Sequence, residues 1–272
     1  MYSCQLIRNP KYTVGNRKIY LIGSSAIRNP NQRNANGERL LKMKAVIFDL
    51  DGTIADFNLD YMASRAEILQ FLREEGFPQS IFSINDNLFE ILNKAEIFLK
   101  NHHKEKQVEK IKTSIFSIAA KYEMEAARTT SLIPGIREAL KALRKMKLKL
   151  ALFTVNCKNS VNHILRTFNL KRYFDTVITR DDVLMVKPNP VHLKTALNAL
   201  KVKPKEAIVV GDSVWDMNSA RALNVFAVGT TTGIASPEEL TNAGAHCLVS
   251  SPTDIITLIE RLNEKGTINQ SL

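Results

Sequence analysis

The sequence has no apolar run approaching the roughly 20 residues needed to cross a bilayer, which removes a membrane-spanning reading. Cysteine is scarce: Cys4, Cys157 and Cys247 show neither CxxC pairing nor ligand spacing, and an odd count argues against a disulfide framework. That usage fits a reducing, cytoplasmic setting. The five histidines form no HxxxH or HExxH pattern, so no zinc site of that kind is expected. Acid is nearly missing from residues 1–42, where eight Arg and Lys face Glu38 alone. That stretch supplies +7 of the formal +11, so the rest of the chain is only mildly basic and nucleic acid is not its expected partner, beyond weak contacts of the tail.

The 272 residues suffice for one sizeable α/β domain carrying an insertion, or for two modest domains. Residues 1–42 read as a basic N-terminal extension, either a disordered tail or translation begun upstream of a start at Met43. A transit peptide would share the composition. From Met43 the pattern tightens. Lys44 to Asp49 is an apolar, strand-like run, and Leu50-Asp51-Gly52-Thr53 breaks it with a turn. Over 57–130, Leu88, Ile91, Leu92, Ala95 and Leu99 recur at three- and four-residue steps, as do Ile111, Ile115, Ile118 and Tyr122, which predicts an inserted helical bundle. After Pro134-Gly135 helices and strands alternate, with strands expected at Leu148 to Thr154, Thr176 to Thr179, Ala207 to Gly211, Val225 to Val228 and His246 to Val249. Repeated βα units with apolar strands imply an α/β fold, a Rossmann-like parallel sheet covered by helices on both faces. The catalytic core is expected over 43–56 and 131–265, with 57–130 as the helical cap.

In open α/β sheets, ligands collect beyond the carboxyl ends of the strands. Four polar signals follow such ends: Asp49/Asp51, Thr154, Lys187 and Asp212/Asp216. Asp-Gly alone is an ordinary turn signal, and Thr154 alone an ordinary strand residue. Two carboxylates two residues apart where a strand unwinds can nevertheless converge on one phosphorus, one attacking while the other handles protons. Lys187, held among prolines, can neutralise a nucleophilic carboxylate and a phosphate. Ser213 with Asp216 reads as a capping box, which does not explain Asp212, placed directly after an apolar strand. As a metal ligand Asp212 makes sense, with Asp216 one helical turn on steadying the metal's waters or Lys187.

In this order and spacing, DLDGT (Asp49, Asp51), FTVN (Thr154), KPNP (Lys187) and GDSVWD (Asp212, Asp216) resemble the haloacid dehalogenase superfamily of phosphohydrolases. The insertion is similar to the C1-type cap of its phosphoglycolate-phosphatase-like members. The resemblance implies that Asp49 forms an aspartyl-phosphate while Asp51 acts as acid and then base. It also implies that Thr154 binds phosphate, that Lys187 orients it, and that Mg²⁺ is held by Asp49, the backbone carbonyl of Asp51, and Asp212, with Asp216 in support. Val155 departs from the pattern, since many relatives carry Asn directly after the Thr; Asn156 is the candidate replacement. A divalent cation is expected on physical grounds too. Two carboxylates about 4 Å apart repel by roughly 4 kcal/mol at an effective dielectric of 20, and a phosphate dianion adds to this. The expected activity is Mg²⁺-dependent hydrolysis of a small phosphate monoester (phosphoglycolate, a sugar or a nucleotide phosphate), with phosphomutase chemistry on the same nucleophile as the alternative.

Overall fold

The computed structural model describes residues 12–14, 17–21, 43–56 and 58–264. They form two compact units. One runs up to Asp56, then over Ser131–Val155 and from Leu165 onward; the other comprises Phe57–Thr130 and Asn156–Ile164.

In chain order, strands β1 (Tyr12–Val14), β2 (Arg17–Leu21), β3 (Ala45–Phe48) and β4 (Ala55–Asp56) precede helices α1 (Tyr61–Glu74), α2 (Leu88–Asn101) and α3 (Val108–Thr129). Next come β5 (Ser131–Leu132), α4 (Ile136–Lys145), β6 (Lys149–Phe153), α5 (Lys158–Thr167), β7 (Thr176–Ile178) and α6 (Pro190–Leu200). The chain continues through β8 (Ala207–Gly211), α7 (Val214–Ala222), β9 (Phe226–Thr230), α8 (Pro237–Ala243), β10 (Cys247–Val249) and α9 (Ile255–Glu264).

The main sheet has the order β1-β2-β10-β9-β8-β3-β6-β7. From β10 to β7 every neighbouring pair is parallel. The central strands β3 and β8 are buried at every position, as a strand covered on both faces must be. Ala45 and Ile47 of β3 pack in one core with Leu193 and Leu197 of α6, Met217 of α7 and Leu240 of α8. With side chains alternating, Val46 and Phe48 take the opposite face, on whose side α4 packs against β6 and α9. This is the Rossmann-like α/β sheet expected from the sequence. Helix α6 starts where its residues dictate: Asn189 accepts the Val191 N–H at 3.0 Å, and Pro190 takes the first helical position, where no N–H is needed.

Residues 12–14 and 17–21 depart from the disordered extension that composition suggested. β1 and β2 pair antiparallel, and β2 continues the sheet antiparallel to β10 with Leu21 opposite Cys247. The cause is backbone pairing on an otherwise open strand edge, which basic composition conceals. Tyr20, partly buried, packs against the core shared with α6 to α8. The readings of residues 1–42 as a transit peptide or an upstream start lie outside the described residues.

The second unit is built as its periodicity predicted. Ile68 and Leu72 of α1, Ile91 and Leu99 of α2, and Ile111 and Ile115 of α3 share one apolar core. Asp60 caps α1 by accepting the Ala63 N–H, and Asn87 with Glu90 forms a capping box on α2. Its outer faces carry ion pairs such as Glu67 with Lys121 at 2.8 Å. Residues 156–164 belong with this unit as well, beyond the 57–130 boundary read from sequence. The buried Glu123 of α3 holds them there by accepting the Cys157 N–H at 2.8 Å.

Candidate active site

The site lies at the carboxyl ends of adjacent strands. β3 stops at Phe48, whose sheet partners are Leu152 of β6 and Val210 of β8. Asp49 is therefore the first residue past β3, and its N–H still donates to the Val210 carbonyl at 2.9 Å. In the same register Thr154 and Asp212 stand one residue further out on the flanking strands. The chain then folds back: Ile54 N and Ala55 N both donate to the Leu50 carbonyl, at 2.8 and 2.9 Å. Gly52 takes φ +66°, and a Cβ there would come within 2.6 Å of Asp212 Oδ2. A Cβ on Gly233 would overlap the same carboxylate. Both glycines are thus required by the closeness of backbone to Asp212, not by turn geometry alone.

Lys187 joins the set from the segment between β7 and α6. Its ammonium lies 2.5 Å from Asp49 Oδ1 and 2.7 Å from Asp216 Oδ1, with only 2% of the side chain exposed. It also rests 4.6 Å from the centre of the Phe153 ring, a cation–π contact. Asp216 Oδ2 accepts from Ser213 N at 3.1 Å and from Ser213 Oγ at 2.6 Å, and Ser213 Oγ accepts the Asp216 N–H in return. The capping box foreseen from sequence is real, and it aims the free end of Asp216 at Lys187. Asp212 Oδ2 accepts the Ile234 N–H at 3.0 Å, and Thr53 donates to Oδ1 at 3.4 Å.

Asp49, Asp212 and Asp216 are all buried, and each offers a carboxylate oxygen within 4.8 Å of the others. Burial pushes the Asp49 carboxyl well above its ordinary value; Lys187 pulls it down, while Asp216, Asp212 and Asp51 push it up. Burial and then Asp216 raise Asp212 to about 6. For Lys187, burial alone would lower the pKa, but Asp216 and Asp49 outweigh it and hold the ammonium charged. Three carboxylates against one ammonium leave negative charge in a space that favours none. An all-oxygen donor set with that deficit fits a hard divalent cation such as Mg²⁺.

Residues 46–230 match the haloacid dehalogenase-like hydrolase family. The chain belongs to this family. Among curated relatives, "Pyrophosphatase PpaX" of Bacillus mycoides is 26% identical over 236 residues, covering 82% of this chain and all of that protein. "Phosphorylated carbohydrates phosphatase" of Thermotoga maritima is 27% identical over 232 residues, covering 81% and 100%. Among solved structures, a hydrolase from Pseudomonas syringae superposes with a TM-score of 0.61 at 25% identity, over 82% of this chain and 100% of that one. The protein is accordingly an enzyme of the haloacid dehalogenase-like hydrolases. No described helix is long and apolar enough to cross a membrane.

Of the family's motif residues read from sequence, Asp49, Lys187, Asp212 and Asp216 meet in one cluster. Asp51 stands half-buried outside that trio, bridged to Ala55 in the fold-back. Thr154 is fully buried at the end of β6, its N–H donating to the Ile178 carbonyl at 3.0 Å. Sequence reasoning passed over His192. Its Nδ1 accepts the Lys187 N–H at 3.3 Å, which leaves Nε2 as the protonated nitrogen, 3.3 Å from the Ile178 carbonyl. Burial, with the charge of Lys187, lowers its pKa to about 4, so it stays neutral and sets the backbone at Lys187. The turn after β9 was also missed, where Thr232 donates to the Gly52 carbonyl at 2.5 Å. The signal available for it was the Thr230-Thr-Thr-Gly233 run just past a strand.

Proposed function

We propose that the protein is a Mg²⁺-dependent phosphatase of small phosphate monoesters that works through an aspartyl-phosphate on Asp49. The observation carrying this reading is the Asp49–Lys187–Asp216 ion-paired chain beside Asp212, at the strand ends where a phosphate dianion needs compensating positive charge. The name of the Thermotoga maritima relative, a phosphorylated carbohydrates phosphatase, supports the substrate class, and the pyrophosphatase relative supports phosphoryl hydrolysis more broadly.

Asp49 and Asp212, with the Asp51 backbone carbonyl, would hold the ion. Asp216 serves Lys187 instead, since its two oxygens are engaged by Lys187 and Ser213. The ion supplies charge neutralisation and Lewis-acid polarisation of the phosphoryl group. An Asp49 oxygen attacks phosphorus, the ester P–O bond breaks, and Asp51 gives its proton to the departing alkoxide. Asp51 then takes a proton from water, whose oxygen attacks phosphorus and displaces the Asp49 carboxylate, releasing phosphate. Lys187 and Thr154 hold the phosphoryl oxygens through both steps, where positioning and electrostatics do most of the work. Proton handling by Asp51 adds about 10²- to 10⁴-fold.

A screen of phosphorylated metabolites with and without Mg²⁺ tests this. Phosphate release that requires the ion is the expected result. No release from any ester would remove the phosphatase reading, and isomerised sugar phosphate outpacing free phosphate would replace hydrolysis with phosphoryl transfer.

A further inference from the structure

In the sheet unit, acid gathers at the carboxyl ends of the strands and base at their amino ends. Four segments lead into adjacent strands: 43–44 into β3, 144–149 into β6, 171–175 into β7 and 201–206 into β8. These strands are consecutive neighbours in the order β8-β3-β6-β7, and Ala45 pairs with both Lys149 and Ala207, so the segments arrive at one end of the sheet. Together they hold ten Lys and Arg, all exposed, against two acids, Asp175 and Glu206. The mild net charge beyond residue 42 averages this end with acids such as Asp49, Asp212 and Asp216 at the other, so composition hides the separation.

Bonds tie these bases into one surface. Glu206 pairs with the Lys44 ammonium at 2.6 Å and accepts the Lys203 N–H at 3.0 Å. Lys149 donates its N–H to the Lys44 carbonyl at 2.9 Å, and its ammonium reaches the Leu200 carbonyl, next to Lys201, at 2.6 Å. Asp175 pairs with Arg144 and accepts the Leu150 N–H at 2.8 Å. Lys145, Lys147, Lys171, Lys201 and Lys205 make no ion pair among the described residues. Part of this is ordinary helix chemistry: α4 and α6 end here, and cations favour the negative end of a helix, which accounts for Arg144, Lys145 and Lys201. It does not account for Lys171, Lys203 and Lys205, which lie outside those last turns. Ammonium groups gathered with so little acid repel one another, and a polyanion relieves that repulsion.

The arrangement also selects the polyanion. Neighbouring strands stand about 4.8 Å apart, so four strand starts set their bases along a line of about 14 Å. Eight of the ten bases are Lys, a point charge that meets backbone phosphates without the fixed fork geometry of Arg. None of the large exposed apolar side chains, Leu184 and Ile234 among them, falls in these segments, and Tyr173 is buried. The surface thus offers neither a platform on which unpaired bases stack nor an apolar anchor for a bilayer. We propose that the amino-terminal end of the sheet, opposite the candidate active site, is a docking surface for the backbone of double-stranded nucleic acid, bound without regard to sequence. It lies wholly within the sheet unit and stands independently of the phosphatase reading.

The test measures anisotropy of a fluorescent DNA duplex of about 20 base pairs with the full chain, between about 50 and 200 mM salt. One triple variant carries Lys145→Glu, Lys171→Glu and Lys205→Glu. A second carries Arg28→Glu, Arg33→Glu and Arg39→Glu, the same charge change placed within residues 1–42. Wild type is expected to bind with a micromolar dissociation constant at the lower salt and to weaken steeply as salt rises. The first variant should bind about tenfold more weakly or worse, with a salt slope shallower by about 3, and the second should stay within about threefold of wild type. Unmeasurable binding by wild type, unchanged binding by the first variant, or an equal loss in the second overturns the proposal. So does tighter binding of a single strand of the same length, and so does capture by phosphatidylserine vesicles without binding of the duplex, which would assign the surface to a membrane. If melting shows that the first variant does not fold, the triple Gln variant at the same positions decides, with a loss of about threefold or more expected and an unchanged constant overturning the proposal. Phosphate release from an aryl ester should be the same in the first variant as in wild type. Absence of release by wild type would remove the phosphatase reading and leave this surface untouched, and absence of duplex binding would do the reverse.

Discussion

The strand-end cluster and the helical insertion handle charge in opposite ways. At the strand ends, Asp49, Lys187, Asp212 and Asp216 are nearly or fully buried, with Lys187 offsetting Asp49 and Asp216 while Asp212 is held by neutral donors. In the insertion, charge such as Glu67 with Lys121 or Glu96 with Lys100 stays outside, while aliphatic side chains fill the interior. Buried ionic networks contribute little net stability but make each member indispensable, whereas exposed pairs are worth a fraction of a kcal/mol. The lesson is that the first region is organised around buried charge, as the proposed chemistry requires, and the second around packing. Substitutions should separate the two.

The largest separation is expected from Lys187→Met. Removing the ammonium leaves three facing carboxylates uncompensated, so unfolding free energy without divalent ions should drop by about 3–5 kcal/mol. kcat/KM should fall by about 10²-fold or more, because in the proposed function the same group holds the phosphoryl oxygens. Denaturant melts and steady-state kinetics check both; retained activity would break the contrast. Ile115→Ala in the insertion should cost about 3 kcal/mol through the cavity it leaves, with kcat on a minimal aryl phosphate changed less than about threefold. A collapse of kcat there would show that the packing region takes part in the chemistry.

The smallest effect concerns His192, whose folded pKa of about 4 lies below the ordinary 6.5. A native state that disfavours the charged ring binds fewer protons than the unfolded chain between those values. Stability from this residue is thus complete above pH 6.5 and lost as pH falls toward 4, by about 2–3 kcal/mol. The carboxylates with raised pKa act in the opposite sense, so the measurement is a difference. Between pH 7 and 4.5, His192→Asn should lose less stability than wild type by roughly that amount. Equal losses would mean that the ring does not brace Lys187 as a neutral donor and acceptor.

Much of this was legible beforehand because strands in a covered parallel sheet must be apolar throughout. Any carboxylate directly after such a run, like Asp49 after Phe48 or Asp212 after Gly211, announces itself. Helix starts were equally readable, since Asn189-Pro190 and Ser213 with Asp216 satisfy local N–H groups by local means. What stayed hidden was set by partners far along the chain. β2 is a strand because β10 offers it an edge. His192 looks like one more residue on the buried face of α6 until the Lys187 backbone is seen against it. Gly233 gives no hint from its neighbours that Asp212 will sit where its Cβ would be. Residues 156–164 join the insertion through Glu123, 34 positions before Cys157. Asp216 shows the intermediate case: its cap was foreseen, and of the partners offered for its other oxygen the geometry shows Lys187, at 2.7 Å.

The most direct measurement is to locate the phosphoryl group during turnover. Asp51→Asn, slowed in its second step, would be mixed with an aryl phosphate and Mg²⁺, quenched in acid, digested and examined by mass spectrometry. One phosphoryl group on the peptide containing Asp49, removed by hydroxylamine, is the expected result, together with loss of activity by about 10⁴-fold or more in Asp49→Asn. Phosphoryl label on a different residue, or full activity in Asp49→Asn, would contradict the account.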